Sequence, residues 1–152
     1  MKRLLLLIII PFLSFGQIWE KTFSLDTGIF VHQNDDEEYM VFGEIADSLY
    51  VMKLGVDGDS LWRKSFKGRI KDAKKIDDGG YILVGGNILY KLDENGDTIW
   101  TKPFGNWEGR AVDQTESGEY IIAGLFMEPF AEETVYPDIK LMKTNENGDS
   151  LW

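Results

Sequence analysis

The stretch Tyr81-Ile82-Leu83-Val84-Gly85-Gly86-Asn87-Ile88-Leu89-Tyr90-Lys91-Leu92-Asp93-Glu94-Asn95-Gly96-Asp97-Thr98-Ile99-Trp100 holds two short apolar runs and the start of a third. Runs of four to seven residues rich in Ile, Leu, Val and Tyr, bounded by Gly and Asn, read as strands, and no helical period survives. Asn95-Gly96 supplies the positive φ that a tight hairpin requires. Working outward, the same turn recurs. Leu61-Trp62, Ile99-Trp100 and Leu151-Trp152 each follow Gly-Asp-Ser or Gly-Asp-Thr, and Ile18-Trp19 has the same form. Asp57-Gly58 and Asn147-Gly148 stand where Asn95-Gly96 does. A second marker, Tyr-x-x-x-Gly, lies between the tryptophans: Tyr39 with Gly43, Tyr81 with Gly85, Tyr120 with Gly124. It follows the preceding Trp by 20, 19 and 20 residues, whereas the next Trp comes after 23, 19 and 32, so insertions are confined to one segment of the repeat.

Each repeat reads as four short strands. In the second these are Leu61 to Phe66, Ile70 to Ile76, Tyr81 to Val84 and Ile88 to Leu92, the last turning back into the Trp100 strand. Asp78-Gly79-Gly80 and Ser117-Gly118 mark the other hairpin. Four antiparallel strands in roughly 40 residues, repeated in tandem with a periodic aromatic, is the sequence form of a β-propeller blade. The expectation is therefore an all-β chain with repeats at about 17–60, 61–98 and 99–150, a β-sandwich being the alternative. Trp19, Trp62, Trp100 and Trp152, with the Tyr and Gly markers, are expected to pack the blades together. Propellers close with 4–8 blades, so about three imply an incomplete ring. The chain is then expected to be the front portion of a larger protein, or to meet other chains that supply the missing blades.

Asp78 to Gly85 and Lys91 to Trp100 are similar to the blades D-G-G-Y-I-x-x-G and L-D-x-N-G-D-x-x-W of a group of exported bacterial propeller-repeat proteins, a likeness that covers residues 17–152. Leu92 to Trp100 also resembles the tryptophan-docking segment of quinoprotein-like (PQQ-like) propellers. The resemblance implies a scaffold in which the Trp strand is the outermost of its blade, with Gln17 to Phe23 as an unpaired outer strand. Members often end in a type IX secretion sorting domain, and no single enzymatic activity is general to them.

Met1-Lys2-Arg3 followed by the apolar run Leu4 to Leu13 reads as a secretory signal peptide, with Ser14-Phe15-Gly16 setting a cut before Gln17. The run is shorter than the about 20 residues of a membrane span, so no span is expected in the mature chain. Of the 152 residues 43% are hydrophobic, 16 are basic and 26 acidic, a net charge of −10 that disfavours nucleic acid as a partner. With no Cys, packing rather than disulfides must hold the fold.

The longest insertion, Met127 to Pro137, contains Phe130, Glu132, Glu133 and Tyr136; the neighbouring link carries Trp107, Glu108 and Arg110. Both are expected on one edge of the blades, where exposed aromatics beside carboxylates suit a sugar ring or a peptide. Asp93, Asn95 and Asp97 alternate like calcium ligands, but Gly96 is misplaced for a calcium loop and a hairpin accounts for all three repeats. Asp35-Asp36-Glu37-Glu38 reads as a solvated turn, and Lys53, Lys91 and Lys143 as salt-bridge or packing residues. The single His, His32, has no Cys or second His to make a transition-metal site. No catalytic residue, metal or cofactor is assigned. The expected function is a non-enzymatic scaffold that binds protein or glycan at the cell surface or outside the cell. The alternatives are a fragment of a carbohydrate-active or quinone-dependent enzyme, or a self-assembling structural subunit.

Overall fold

A computed structural model describes residues 19–126 and 138–152. Those residues form an all-β structure of three antiparallel sheets, without a helix. The first sheet runs β1 (Thr27–Gln33), β2 (Tyr39–Ile45), β3 (Ser48–Leu54), β4 (Ser60–Lys67), each strand paired with the next. The second repeats this order with β5 (Asp72–Lys75), β6 (Tyr81–Gly85), β7 (Ile88–Leu92) and β8 (Thr98–Pro103). The third has β9 (Glu108–Gln114), β10 (Tyr120–Phe126) and β11 (Asp138–Thr144). A bridge from Thr144 to Ser150 begins a fourth line in it. Among the described residues no sheet closes on itself. Trp62 and Trp100 lie on β4 and β8, edge strands of the first and second sheets, so each of these two sheets ends on the strand with which a sequence repeat begins. Residues 19–25 carry no strand, although a strand was expected as far as Phe23.

The strands alternate because the sheets bury one face against a neighbour. Met40, Phe42, Leu49 and Val51 of the first sheet pack with Ala73, Tyr81, Leu83, Tyr90 and Leu92 of the second. The opposite face of the second sheet sends Ile82, Val84 and Leu89 against Val112, Tyr120, Ile122 and Met142 of the third. β6 is thus buried along its whole length. Tyr120 and Tyr81 are both about 1% exposed, at equivalent places in the two interfaces.

The glycine of each Tyr-x-x-x-Gly marker has a steric cause. A Cβ on Gly43 would lie 2.5 Å from the Thr27 carbonyl oxygen, and one on Gly85 or Gly124 would overlap the carbonyl of Arg69 or Glu108. The chain entering each sheet crosses too close for any side chain.

Candidate functional site

Two edges of the sheets differ in character. At one, the β6–β7 turn meets the β8–β9 link: Phe104 N–H donates to the Asn87 carbonyl at 3.0 Å, and the Asn87 side-chain amide donates to the Gly105 carbonyl at 2.9 Å. β10 pairs with Glu108 through Leu125 and with Asp138 through Phe126, so Phe126 and Asp138 both lie at this same edge. Phe130, Glu132, Glu133 and Tyr136 lie outside the described residues.

Trp107, Glu108 and Arg110 do stand together here, but in unequal roles. An exposed Trp107 was expected; the residue is instead only 4% exposed, because its ring packs on Phe104 at a centroid distance of 4.7 Å within the second core. Its indole N–H donates to the Phe104 carbonyl at 3.0 Å, which satisfies the buried donor. The Lys140 ammonium sits 5.7 Å from that ring and 5.2 Å from the Phe126 ring. Arg110 pairs with Glu108 at 2.9 Å in solvent. With Asn106 and Leu125 these residues line a cleft of about 230 Å³. The cleft therefore offers an apolar floor and an exposed ion pair whose members can exchange partners.

At the opposite edge lie the hairpins. Asp93 Oδ1 accepts from the N–H of Asn95 and of Asp97 at 2.9 and 2.8 Å, and Asn145 Oδ1 does the same for Asn147 and Asp149 at 3.0 and 2.9 Å. These oxygens close the turn, which accounts for their alternation. In the acidic turn Asn34 Oδ1 takes the N–H groups of Asp36 and Glu38. Lys53, Lys91 and Lys143 each bind an acid from the adjoining hairpin of their own sheet: Glu38 at 2.7 Å, Asp78 at 2.7 Å and Glu119 at 2.6 Å. The hydrogen bond from Lys53 holds the Glu38 carboxyl below its ordinary pKa, and Lys143 does so for Glu119. Partial burial pushes Asp78 up, but Lys91 and the Gly80 N–H outweigh it and the carboxyl titrates low. Burial likewise pulls Lys91 down, and its bonds to Asp78 and Tyr120 carry it above the ordinary value. Burial, then the charge of Lys75, lowers the His32 imidazole. Burial, with Glu94 nearby, pushes Tyr81 up to about 12.

Sequence reasoning missed one repeated set. Lys21, Lys64 and Lys102 each stand two residues after a marker Trp and reach a Gly-Asp turn further along the chain: Asp59 at 2.8 Å, Asp97 at 2.5 Å, Asp149 at 2.8 Å. The tryptophans dock on the glycines of the same turns. A Cβ on Gly58 would come within 2.6 Å of the Trp19 ring, on Gly96 within 3.1 Å of Trp62, and on Gly148 within 2.8 Å of Trp100. The signal was present as Trp-x-Lys at three equivalent positions.

No family model matches the chain, and no curated protein matches it. Among solved structures it is similar to a protein of unknown function from Bacteroides caccae, with a TM-score of 0.47 and 9% identity. The match covers 82% of this chain and 65% of that one, so the chain spans just under two thirds of its neighbour's length.

Proposed function

We propose that the three sheets are consecutive blades of a β-propeller, and that the chain is an exported, non-enzymatic scaffold which binds a partner at the edge bearing Trp107, Glu108 and Arg110. The observation that carries the reading is the threefold recurrence of one contact: Trp19, Trp62 and Trp100 on Gly58, Gly96 and Gly148, each with its Lys–Asp pair. A contact that repeats with the sequence period is how blades of a repeat protein add to one another. The repeated charged residues are used in these contacts and in the Lys53, Lys91 and Lys143 pairs, which supports a structural part for them.

The non-repeating residues are where a binding function belongs, and of these Trp107, Glu108 and Arg110 line the cleft. Since the Trp107 ring is packed inside, the stacking platform for a sugar is diminished, and the exposed Glu108–Arg110 pair beside Leu125 favours a protein partner. The test is an array of immobilised bacterial surface proteins and glycans probed with purified residues 17–152. Retention on a protein, weakened tenfold or more by the Glu108→Ala, Arg110→Ala double variant with its Tm unchanged, supports the reading. Retention that ignores the double variant overturns the assigned edge, and retention on glycans alone overturns the partner class.

A further inference from the structure

The two junctions between sheets use equivalent positions but close differently at the hairpin edge. Turn bonds align Asn34 with Ile76 and Asp36 with Asp78, and the registers align Lys53 with Lys91, Lys75 with Gln114 and Tyr81 with Tyr120. Between the second and third sheets the polar groups satisfy one another. The Gln114 side chain accepts from the Asp77 N–H at 2.9 Å, Lys91 bonds both Asp78 and Tyr120, and Ile76 is buried in the second core. Between the first and second sheets the same positions are disengaged. Lys53 pairs with Glu38 at 2.7 Å, and Asn34 is spent on its own hairpin, its amide on Glu38 and its oxygen on two backbone N–H groups. Lys75, where the other sheets have Gln33 and Gln114, donates to the Gly79 carbonyl of its own turn and lies 4.8 Å from the centroid of the Tyr81 ring. Among the described residues Asp36, Lys75 and Glu94 have no ion-pair partner. Tyr81 is 1% exposed, and among the described residues its hydroxyl has no hydrogen-bond partner, unlike that of Tyr39, which accepts from Gln33, or that of Tyr120. These four side chains, with Asn95, line a cavity of about 240 Å³ that also includes Met40.

We infer that this cavity is a binding site for a free α-amino acid, whose ammonium meets Asp36 and Glu94 and whose carboxylate meets Lys75 and the Tyr81 hydroxyl. The charges decide the class. A simple amine leaves Lys75 and Tyr81 without an acceptor, and a simple carboxylate is repelled by Asp36 and Glu94. A molecule that carries both charges on one carbon answers all four groups. Burial, with Glu94 nearby, pushes Tyr81 up to about 12, so at neutral pH its hydroxyl is protonated and donates. A sugar lacks a platform here, because the Tyr81 ring already packs against Lys75, Phe42 and His32. The volume lies below the about 300 Å³ at which drug-sized pockets begin, which suits a ligand this small. The site is at the edge opposite Trp107 and does not depend on the partner proposed there.

The experiment titrates the purified protein, its methionine methyls labelled with ¹³C, with each proteinogenic L-amino acid to millimolar concentration. Binding is followed by calorimetry and by the methyl spectrum, in which the Met40 line is assigned with Met40→Leu. At least one amino acid is expected to bind with one-to-one stoichiometry and to move the Met40 line while the Met142 line stays in place. The amine left by removing its carboxylate, and the acid left by removing its ammonium, are each expected to bind about tenfold more weakly or worse. Lys75→Gln, which restores the residue of the other two sheets, and Asp36→Asn are each expected to weaken binding about tenfold or more with Tm unchanged. Binding by no amino acid overturns the inference. So does an amine or carboxylate analogue that binds as tightly as the amino acid, or a bound amino acid that leaves the Met40 line unmoved. If a variant does not fold, the methyl shifts and the analogue series in the unaltered protein decide by the same outcomes.

Discussion

Glu37 shows how a repeat exposes a local misfit. It has φ of 62° at the place where the other two hairpins have Gly79 and Gly118, at 91° and 83°. The left-handed region costs a side chain-bearing residue roughly 1–2 kcal/mol, part of which glycine returns as chain entropy. Glu37→Gly is therefore expected to stabilise the protein by about 0.5–1 kcal/mol, read as a rise in the urea midpoint with unchanged slope. The hairpin acids give a second prediction. Glu38, Asp78 and Glu119 all titrate below their ordinary values through their lysines and hydrogen bonds. A carboxyl with a lowered folded pKa adds stability above its unfolded pKa and loses it as pH falls through the folded one. Tm is thus expected to fall most steeply below about pH 4.5, after a smaller decline from about pH 7 as the unfolded chain protonates His32 before the folded one does, with Lys91→Met making the acid limb shallower. An acid limb that is as steep in the variant would remove Lys91–Asp78 from this account.

At the scale of elements, the sheets differ by how many faces they bury. The second sheet is covered on both sides, the third on one. Leu89 and Leu141 occupy the same register on β7 and β11, yet are 0% and 51% exposed. Leu89→Ala is expected to cost about 2–5 kcal/mol and Leu141→Ala less than about 0.5 kcal/mol, measured by equilibrium urea unfolding. Strand positions were legible in the sequence because turn glycines and alternating apolar residues state them locally: β7 spans Ile88–Leu92 as read, and β4 exceeds the expected Leu61 to Phe66 by one residue at each end. The second strand of that repeat is shorter than read, since only Asp72–Lys75 pairs with β6. Lys71 N–H instead donates to the Val84 carbonyl, and Ile70 N–H is taken by the Glu44 side chain. Trp107 was misread for a related reason. It belongs to no repeat marker, so nothing periodic stated its environment, and its burial depends on Phe104 closing over it. The Trp-x-Lys partners were visible as spacing, but their function required knowing which turn lies beside which indole.

The whole molecule joins a repeated interface to a non-repeated edge. Its Lys–Asp pairs are exposed and screened by solvent, so the apolar faces of the two cores carry the junctions, and the indole on glycine with its ion pair adds to them and fixes the register. Export belongs to this scale as well. Expression of the full chain in a secreting bacterial host is expected to yield an exported product whose first residue is Gln17, found by N-terminal sequencing; a product that retains Met1 in the cell contradicts the signal-peptide reading. The central claim, that the indoles of Trp62 and Trp100 seated on the turn glycines of the following sheet help join the sheets, is tested most directly by the thermal unfolding of two variants side by side. Gly96 and Gly118 both have positive φ, but only Gly96 faces an indole, whereas a Cβ on Gly118 has nothing nearer than 4.0 Å. Backbone strain of about 1–2 kcal/mol is common to both Gly→Val changes, and crowding adds about 1–3 kcal/mol at Gly96 alone. The account predicts a markedly larger loss of Tm for Gly96→Val than for Gly118→Val. Equal losses would contradict it.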